Sequence, residues 1–355
     1  MSFWNLFSVK QNSVEAVIDI GSAQVSGALI SVSTNNQGRK QNRLIFNTKA
    51  ETGIDGELDF ERFDWEIIKA IKKVTHDLVK SGFHQPTKFS CFLSSPFLVS
   101  QTKVINYSQA DQFVFTPKIL DSISRREAED FRLRNEGEKQ FNLIENKIMQ
   151  IKLNGYELAQ PFGHKVNQLT LAQFLSGSPA SQLAKIRQAI SSQSHNNKVE
   201  FHSYTFSAFS ALRDGLGGQK NFLAVDVGGE LTDVFVAMDG VLLENISFPY
   251  GLNSIIRSIA RAQGTFQNEA KSQLALYAEG RLQARAKDIF ERSLESARQK
   301  WTAGLAEALM LILANSVLPE QIILTGDTGA NKIFVSWLKA GAFKKYLLSN
   351  NYLRQ

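Results

Sequence analysis

Two aspartates stand near the ends of apolar runs, each followed two residues later by glycine: Val17-Ile18-Asp19-Ile20-Gly21-Ser22 and Ala224-Val225-Asp226-Val227-Gly228-Gly229. A glycine turn at the end of a strand leaves backbone N–H groups unshielded, so that phosphate oxygens can approach them closely. A carboxylate beside that phosphate chain meets its natural partner in Mg2+ and its waters, because a hard cation prefers oxygen ligands. A single Asp-x-Gly turn is ordinary turn chemistry. Two on matching frames about 200 residues apart, with a third glycine turn at Gly326 after the apolar run Ile322–Leu324, point to duplicated halves that clamp a polyphosphate.

The elements that must carry these turns are legible from periodicity. The first half predicts strands at Val14–Ile20, Val25–Val32 and around Leu44–Asn47, a helix over Phe63–Lys80 with Trp65, Ile68, Ile71 and Leu78 at helical spacing, and a buried strand at Lys88–Leu93. The second half repeats that grammar with strands Phe222–Val227, Thr232–Ala237 and Val241–Ser247. Helices then run from Asn253 to about Ala314, followed by a strand at Gln321–Leu324 and a closing helix toward Leu348. From about Gln101 to Ser176 the texture changes. Pro117 opens a polar helix, and short strands Lys147–Leu153 and Gln168–Leu175 flank a turn at Asn154-Gly155, which reads as an inserted subdomain. A helix Pro179–Ser192, a strand Lys198–His202 and a helix Phe206–Leu212 lead back. The expected division is a first core of 1–101 with 177–217, an insert of 102–176, a second core of 218–260 with 315–355, and a helical upper subdomain of 261–314.

Composition removes several function classes. At 355 residues, 43% hydrophobic and 21% charged, the chain is an ordinary globular protein of more than one domain. The single cysteine, Cys91, allows neither an intrachain disulfide nor a thiolate zinc site and fits a reducing cytosol. The five histidines show no HxH or HxxxH spacing. The 40 basic and 34 acidic residues are interspersed, so no nucleic-acid partner is expected, and no apolar run reaches the roughly 18–20 residues of a spanning helix. Two aromatic segments have the pattern of an interfacial anchor. One is Phe3, Trp4, Leu6 and Phe7 ahead of Lys10, for which a self-packed tail is the alternative. The other is Phe334, Trp337, Leu338, Ala342 and Phe343 with Lys339, Lys344 and Lys345 elsewhere on the helix, for which docking on its own domain is the alternative.

Three separated motifs resemble the actin-like ATPases of the actin, Hsp70 and sugar-kinase superfamily. Ile18-Asp19-Ile20-Gly21-Ser22-Ala23 is similar to the first phosphate motif, Val225-Asp226-Val227-Gly228-Gly229-Glu230-Leu231-Thr232-Asp233 to the second, and Ile323-Leu324-Thr325-Gly326-Asp327 to the adenosine motif. The stretch Ile144–Leu175, with Asn154-Gly155-Tyr156 and Gln160-Pro161-Phe162-Gly163, resembles the SHS2 insert shared by the FtsA and PilM families, and Ser247-Phe248-Pro249-Tyr250-Gly251-Leu252-Asn253 resembles an FtsA segment. The resemblance implies an α/β, actin-like (ribonuclease H-like) two-lobe ATPase fold with an inserted SHS2 subdomain, binding ATP and Mg2+. It assigns Gly21, Ser22, Ala23, Gly228, Gly229, Glu230 and Thr232 to the phosphates, and Asp19 and Asp226 to catalysis and to Mg2+ through water. Gly326, Asp327 and Thr328 are assigned to the adenosine, with Glu269 and Lys271 near it.

An FtsA-like protein is favoured: a cytoplasmic, nucleotide-gated division scaffold or polymer on the inner face of the membrane, with an FtsZ-like partner and self-association into filaments. The alternatives are a PilM-like scaffold of type IV pilus assembly that captures a membrane-protein tail peptide, and a degenerate scaffold that binds no nucleotide. Glu230 and Leu231 stand where FtsA carries glycine and threonine, and Asp327 interrupts the glycine turn, which implies at most a weak ATPase.

Overall fold

The computed structural model describes residues 13–34, 40–52, 60–137, 140–195, 198–217, 219–326, 330–339 and 353–354. In chain order the first half forms β1 (Ser13–Ile20), β2 (Gln24–Thr34), β3 (Lys40–Glu51), α1 (Phe60–Lys80) and β4 (Phe89–Leu93). The middle forms β5 (Val99–Val114), α2 (Pro117–Glu136), β6 (Phe141–Leu153), β7 (Tyr156–Glu157), β8 (Lys165–Pro179), α3 (Ala180–Ser191), β9 (Val199–Ser203) and α4 (Tyr204–Gly215). The second half forms β10 (Phe222–Val227), β11 (Thr232–Met238), β12 (Val241–Phe248), α5 (Leu252–Gln263), α6 (Gln267–Ala278), α7 (Ala284–Asn315), β13 (Ile322–Gly326), α8 (Asn331–Lys339) and β14 (Leu353–Arg354). The chain divides into two compact units, 1–93 with 182–202 and 94–181 with 203–355.

Each unit is built on one five-stranded sheet, and the two sheets have the same plan. The strand order is β3-β2-β1-β4-β9 in the first and β12-β11-β10-β13-β14 in the second. In both, three antiparallel strands are followed by a strand running parallel to the first, β4 on β1 and β13 on β10. The duplication extends to register: Asp19 lies opposite Ser26 on the neighbouring antiparallel strand, and Asp226 lies opposite Asp233, seven residues on in each case. Both aspartates stand one residue before the carboxyl end of their strand, at the end of a parallel sheet where ligands of α/β proteins bind.

The hydrophobic pattern explains the layers. In β1 the residues Val14, Ala16, Ile18 and Ile20 are all buried on one face. Strand β10 is buried almost throughout, as its continuous apolar run requires of a central strand. Helix α1 buries Phe63, Ile67, Ala70, Ile71, Val74 and Leu78, and Cys91 on β4 lies in the same unit with its thiol pushed up to about 12 by burial. The centre of the second unit is Trp301 on α7, fully buried among Phe334 and Trp337 of α8 and Phe248 of β12. The aromatic face of α8 is therefore core: Phe334, Trp337 and Leu338 are each 5% exposed or less. Ala342, Phe343, Lys344, Lys345 and the segment Phe3–Lys10 lie outside the described residues.

The insert forms a third sheet, ordered β5-β8-β6-β7, in the second compact unit. Helix α2 starts at Pro117 behind the N-cap Thr116, whose hydroxyl accepts from the Ile119 N–H at 3.3 Å. It packs on one face through Ile123, Ala128 and Phe131. On the other face Phe174 stacks on Phe206 of α4 and joins Phe209, Phe222 and Phe235 in one core. The strands of this sheet are longer than periodicity predicts, and β5, 16 residues long, was absent from the sequence-based plan. Its side chains are mostly exposed or half-buried polar groups, so it carries little of the alternation that marks a strand.

Candidate functional site

The turn after β10 is held from below by helix α5. The N–H groups of Leu252 and Asn253, which a helix start leaves without intrahelical partners, donate to the carbonyls of Gly228 (3.0 Å) and Gly229 (2.8 Å). These peptides are trans, so the N–H on the far side of each points opposite to its carbonyl. With both carbonyls aimed at α5, the N–H groups of Gly229 and Glu230 are aimed together away from it. That is the geometry of an anion-binding nest. The approach is close enough that Gly251 admits no side chain: a Cβ there would stand 2.4 Å from the Gly229 oxygen and 2.5 Å from that of Gly228. Gly326, at the end of β13, has φ +139 and would place a Cβ 2.6 Å from the Val227 oxygen, so the third turn also closes on this strand end.

Around the nest stand two carboxylates. Asp226 and Asp233 occupy directly opposed positions on β10 and β11, a spacing that brings side chains on one face to about 5 Å. Thr325 donates to Asp226 at 2.6 Å, and Tyr204 bonds it as well, yet burial holds its carboxyl above the ordinary range. Burial pushes Asp233 up to about 6, with the charge of Asp226 adding to the rise and hydroxyl donation from Ser247 and Ser95 opposing it. Ser247 bonds Asp233 directly, and its oxygen lies 2.8 Å from that of Ser95. Two desolvated carboxylates facing one another call for a cation. Among the described residues no group of three or more His, Cys, Asp or Glu side chains is assembled that could hold a metal unaided. Two carboxylates flanked by hydroxyls are an oxygen donor set, which suits a hard cation such as Mg2+.

Glu230 and Thr232 are placed by the structure in the supports of the turn. The Glu230 carboxylate is 4% exposed and paired bidentately with Arg257 of α5, at 3.0 and 2.5 Å, with Asn253 Nδ2 donating at 3.0 Å. Its charge is thus turned away from the nest and neutralised. Thr232 is fully buried, donating to the Tyr250 carbonyl (2.8 Å) and accepting from Trp301 Nε1 (3.1 Å), so that α7 fixes the start of β11 through one indole. In the first unit, Gly21 N–H donates to Gln24 O at 3.1 Å to close the turn after β1, Ser22 is buried, and the Ala23 carbonyl accepts from the N–H and hydroxyl of Thr52 at 2.8 and 2.9 Å. Asp19 stands at the end of β1 beside this turn.

Glu269 and Lys271 sit on the first turn of α6 with exposed side chains. The far end of the same helix lines a hollow of about 260 Å³, with Tyr277 facing Leu282, Lys287, Lys332, Ile333 and Ser336. Asp327 and Thr328 lie outside the described residues. Sequence reasoning missed the partners that only register or helix docking brings in: Asp233, Thr325, Ser247, Arg257 and the residues of this hollow. The one signal available was the seven-residue offset from Asp226 to Asp233 across a tight turn, which makes them cross-strand neighbours.

No protein-family model matches the chain, and no curated protein matches it significantly. Among solved structures it is similar to a chain of the PilM-PilN type IV pilus biogenesis complex, with a TM-score of 0.60 at 16% identity over 93% of this chain and 86% of that one. Lower likenesses are to ethanolamine utilization protein EutJ from Carboxydothermus hydrogenoformans (TM-score 0.45, 10% identity, 95% of this chain and 83% of that one) and to a Bacteroides thetaiotaomicron protein with actin-like ATPase fold and unknown function (0.44, 11%, 97% and 92%). The chain has the mixed α/β actin-like ATPase fold. No helix among the described residues is long and apolar enough to cross a membrane.

Proposed function

We propose that this protein is a Mg2+–nucleotide-binding scaffold of a membrane-associated assembly, acting as PilM does in the PilM-PilN complex. The observation that carries the nucleotide part is the opposed pair Asp226 and Asp233 beside the Gly228–Gly229 nest, where anion donors and cation ligands adjoin. Asp226 and Asp233 would hold Mg2+, and the cation would neutralise phosphate charge beside the nest. Gly229 and Glu230 N–H groups bind phosphate oxygens, and the hollow at Tyr277 takes the base between its aromatic and aliphatic walls. In this reading the role is conformational: nucleotide occupancy sets the state of the scaffold.

The scaffold part rests on the likeness to the pilus complex, which spans 93% of this chain. The insert, read as an SHS2 subdomain, captures a tail peptide of a membrane protein at the inner face of the membrane. A division role of the FtsA type, with an FtsZ-like partner and filaments, is the second reading. It draws on the segment Pro161-Phe162-Gly163, whose Phe162 stacks on Phe115 at 5.3 Å and whose Gly163 N–H bonds the Phe115 carbonyl to close the insert's core. ATP-dependent pelleting on lipid vesicles favours the division role, and peptide capture by a monomer favours the pilus role.

Calorimetric titration with ATP, with and without Mg2+, tests the premise. Asp226→Ala should weaken Mg2+–ATP binding about tenfold or more, the cost of removing a buried charged hydrogen-bonding group. Equal affinity in both proteins, or no binding to the wild type, refutes it.

A further inference from the structure

The seam between β12 and β5 is held by isolated hydrogen bonds, each with at least one side-chain partner. The two strands belong to different sheets and share no ladder. They are joined by Thr102 Oγ1 donating to the Leu242 carbonyl (2.6 Å), by Asn245 Nδ2 donating to Ser100 Oγ (3.0 Å) and by the contact of Ser95 with Ser247 (2.8 Å). Ser95 lies in the connection between β4 of the first unit and β5 of the second, where the chain enters the four-stranded sheet. Ser247 is at once the last link of this seam and a donor to Asp233.

We propose that Ser247 is a positioning residue that couples occupancy of the Asp226–Asp233 pair to the segment 94–102, and through it to the four-stranded sheet. The proposal rests on the nucleotide reading and adds its regulation. A carboxylate has about four acceptor sites on two oxygens. When a hydrated cation takes some of them, the hydroxyl donors of Ser247 and Ser95 compete for the rest, and the Ser95 contact must shorten, lengthen or rotate with the outcome. A ladder would resist such a change cooperatively. Three separate side-chain bonds, each with a net worth of about 1 kcal/mol, yield to it. The arrangement gives the insert a physical reason to sense the site: the segment leading into its entry strand is pinned to β12 at Ser247, which also bonds the proposed cation ligand Asp233.

Hydrogen–deuterium exchange over 94–102, measured with and without Mg2+–ATP on protein whose binding is followed by calorimetry, tests the coupling. The wild type should show a changed rate of exchange in this segment with nucleotide. Ser247→Ala should lose that response, Ser247→Thr, which keeps the hydroxyl, should regain it, and Thr102→Val, in the seam but away from the carboxylates, should bind nucleotide as the wild type does with a diminished response. A wild type that binds Mg2+–ATP without any change over 94–102, or a Ser247→Ala variant that retains the change, overturns the coupling and leaves the nucleotide reading standing. A wild type that does not bind overturns both.

Discussion

Glu230 shows what a single side chain decides. Its position inside the second phosphate motif places a carboxylate next to a nest built for anions, which electrostatics alone would disfavour. The structure removes the conflict by burying Glu230 against Arg257 and Asn253, so the residue that departs from the family pattern fastens the turn to α5. A pair separated by 27 positions leaves no trace in local spacing, which is why the sequence could assign Glu230 only by analogy. Arg257 is itself largely buried at 18% exposure, so removing its partner leaves an uncompensated charge. Glu230→Ala should lower stability by about 3 kcal/mol by that argument. In a urea-unfolding double-mutant cycle with Arg257→Ala, the coupling should fall in the range of about 1–3 kcal/mol. Additive effects would show that the pair contributes nothing beyond its separate side chains.

At the scale of elements, strands and helices with one apolar face were legible and those with two polar faces were not. The runs that became β1, β10 and β13, and the stripe that became α1, follow directly from burial of their apolar residues. Strand β5 escaped because neither of its faces is wholly buried, and the aromatic stripe of α8 permitted both a membrane surface and a core until Trp301 was found beneath it.

Helix α5 makes the link from element to site, because its N-terminus orients the nest and its two ends are both glycines with different duties. Gly251 is required by proximity, with a Cβ at 2.4 Å from a backbone oxygen, whereas Gly264 is required by its left-handed φ of 65 with open space around it. Gly251→Ala must push α5 off the turn and break the Leu252 and Asn253 bonds, so it should both destabilise, by about 1–3 kcal/mol, and abolish nucleotide binding. Gly264→Ala should cost about 1–2 kcal/mol of strain and leave binding unaltered. Thermal unfolding and calorimetry on the two variants separate these outcomes. Similar losses of affinity in both would mean that the helix matters only through global stability.

At the scale of the whole molecule two sheets share one plan and differ in what stands opposite the aspartate of each. The shared plan was visible in the two Asp-x-Gly turns, and the two sheets repeat it strand for strand. The asymmetry was visible only in the register: Asp19 faces the neutral Ser26, while Asp226 faces Asp233. The opposed pair carries a repulsion that a cation relieves, so the cation dependence of binding should reside in Asp226 and Asp233. Asp226→Asn should therefore reduce the affinity for ATP in Mg2+ to the level found without it, erasing the difference between the two titrations. Asp233→Asn should likewise erase the enhancement by Mg2+. If instead both variants preserve the enhancement, the opposed pair serves the fold of the second sheet and holds no cation.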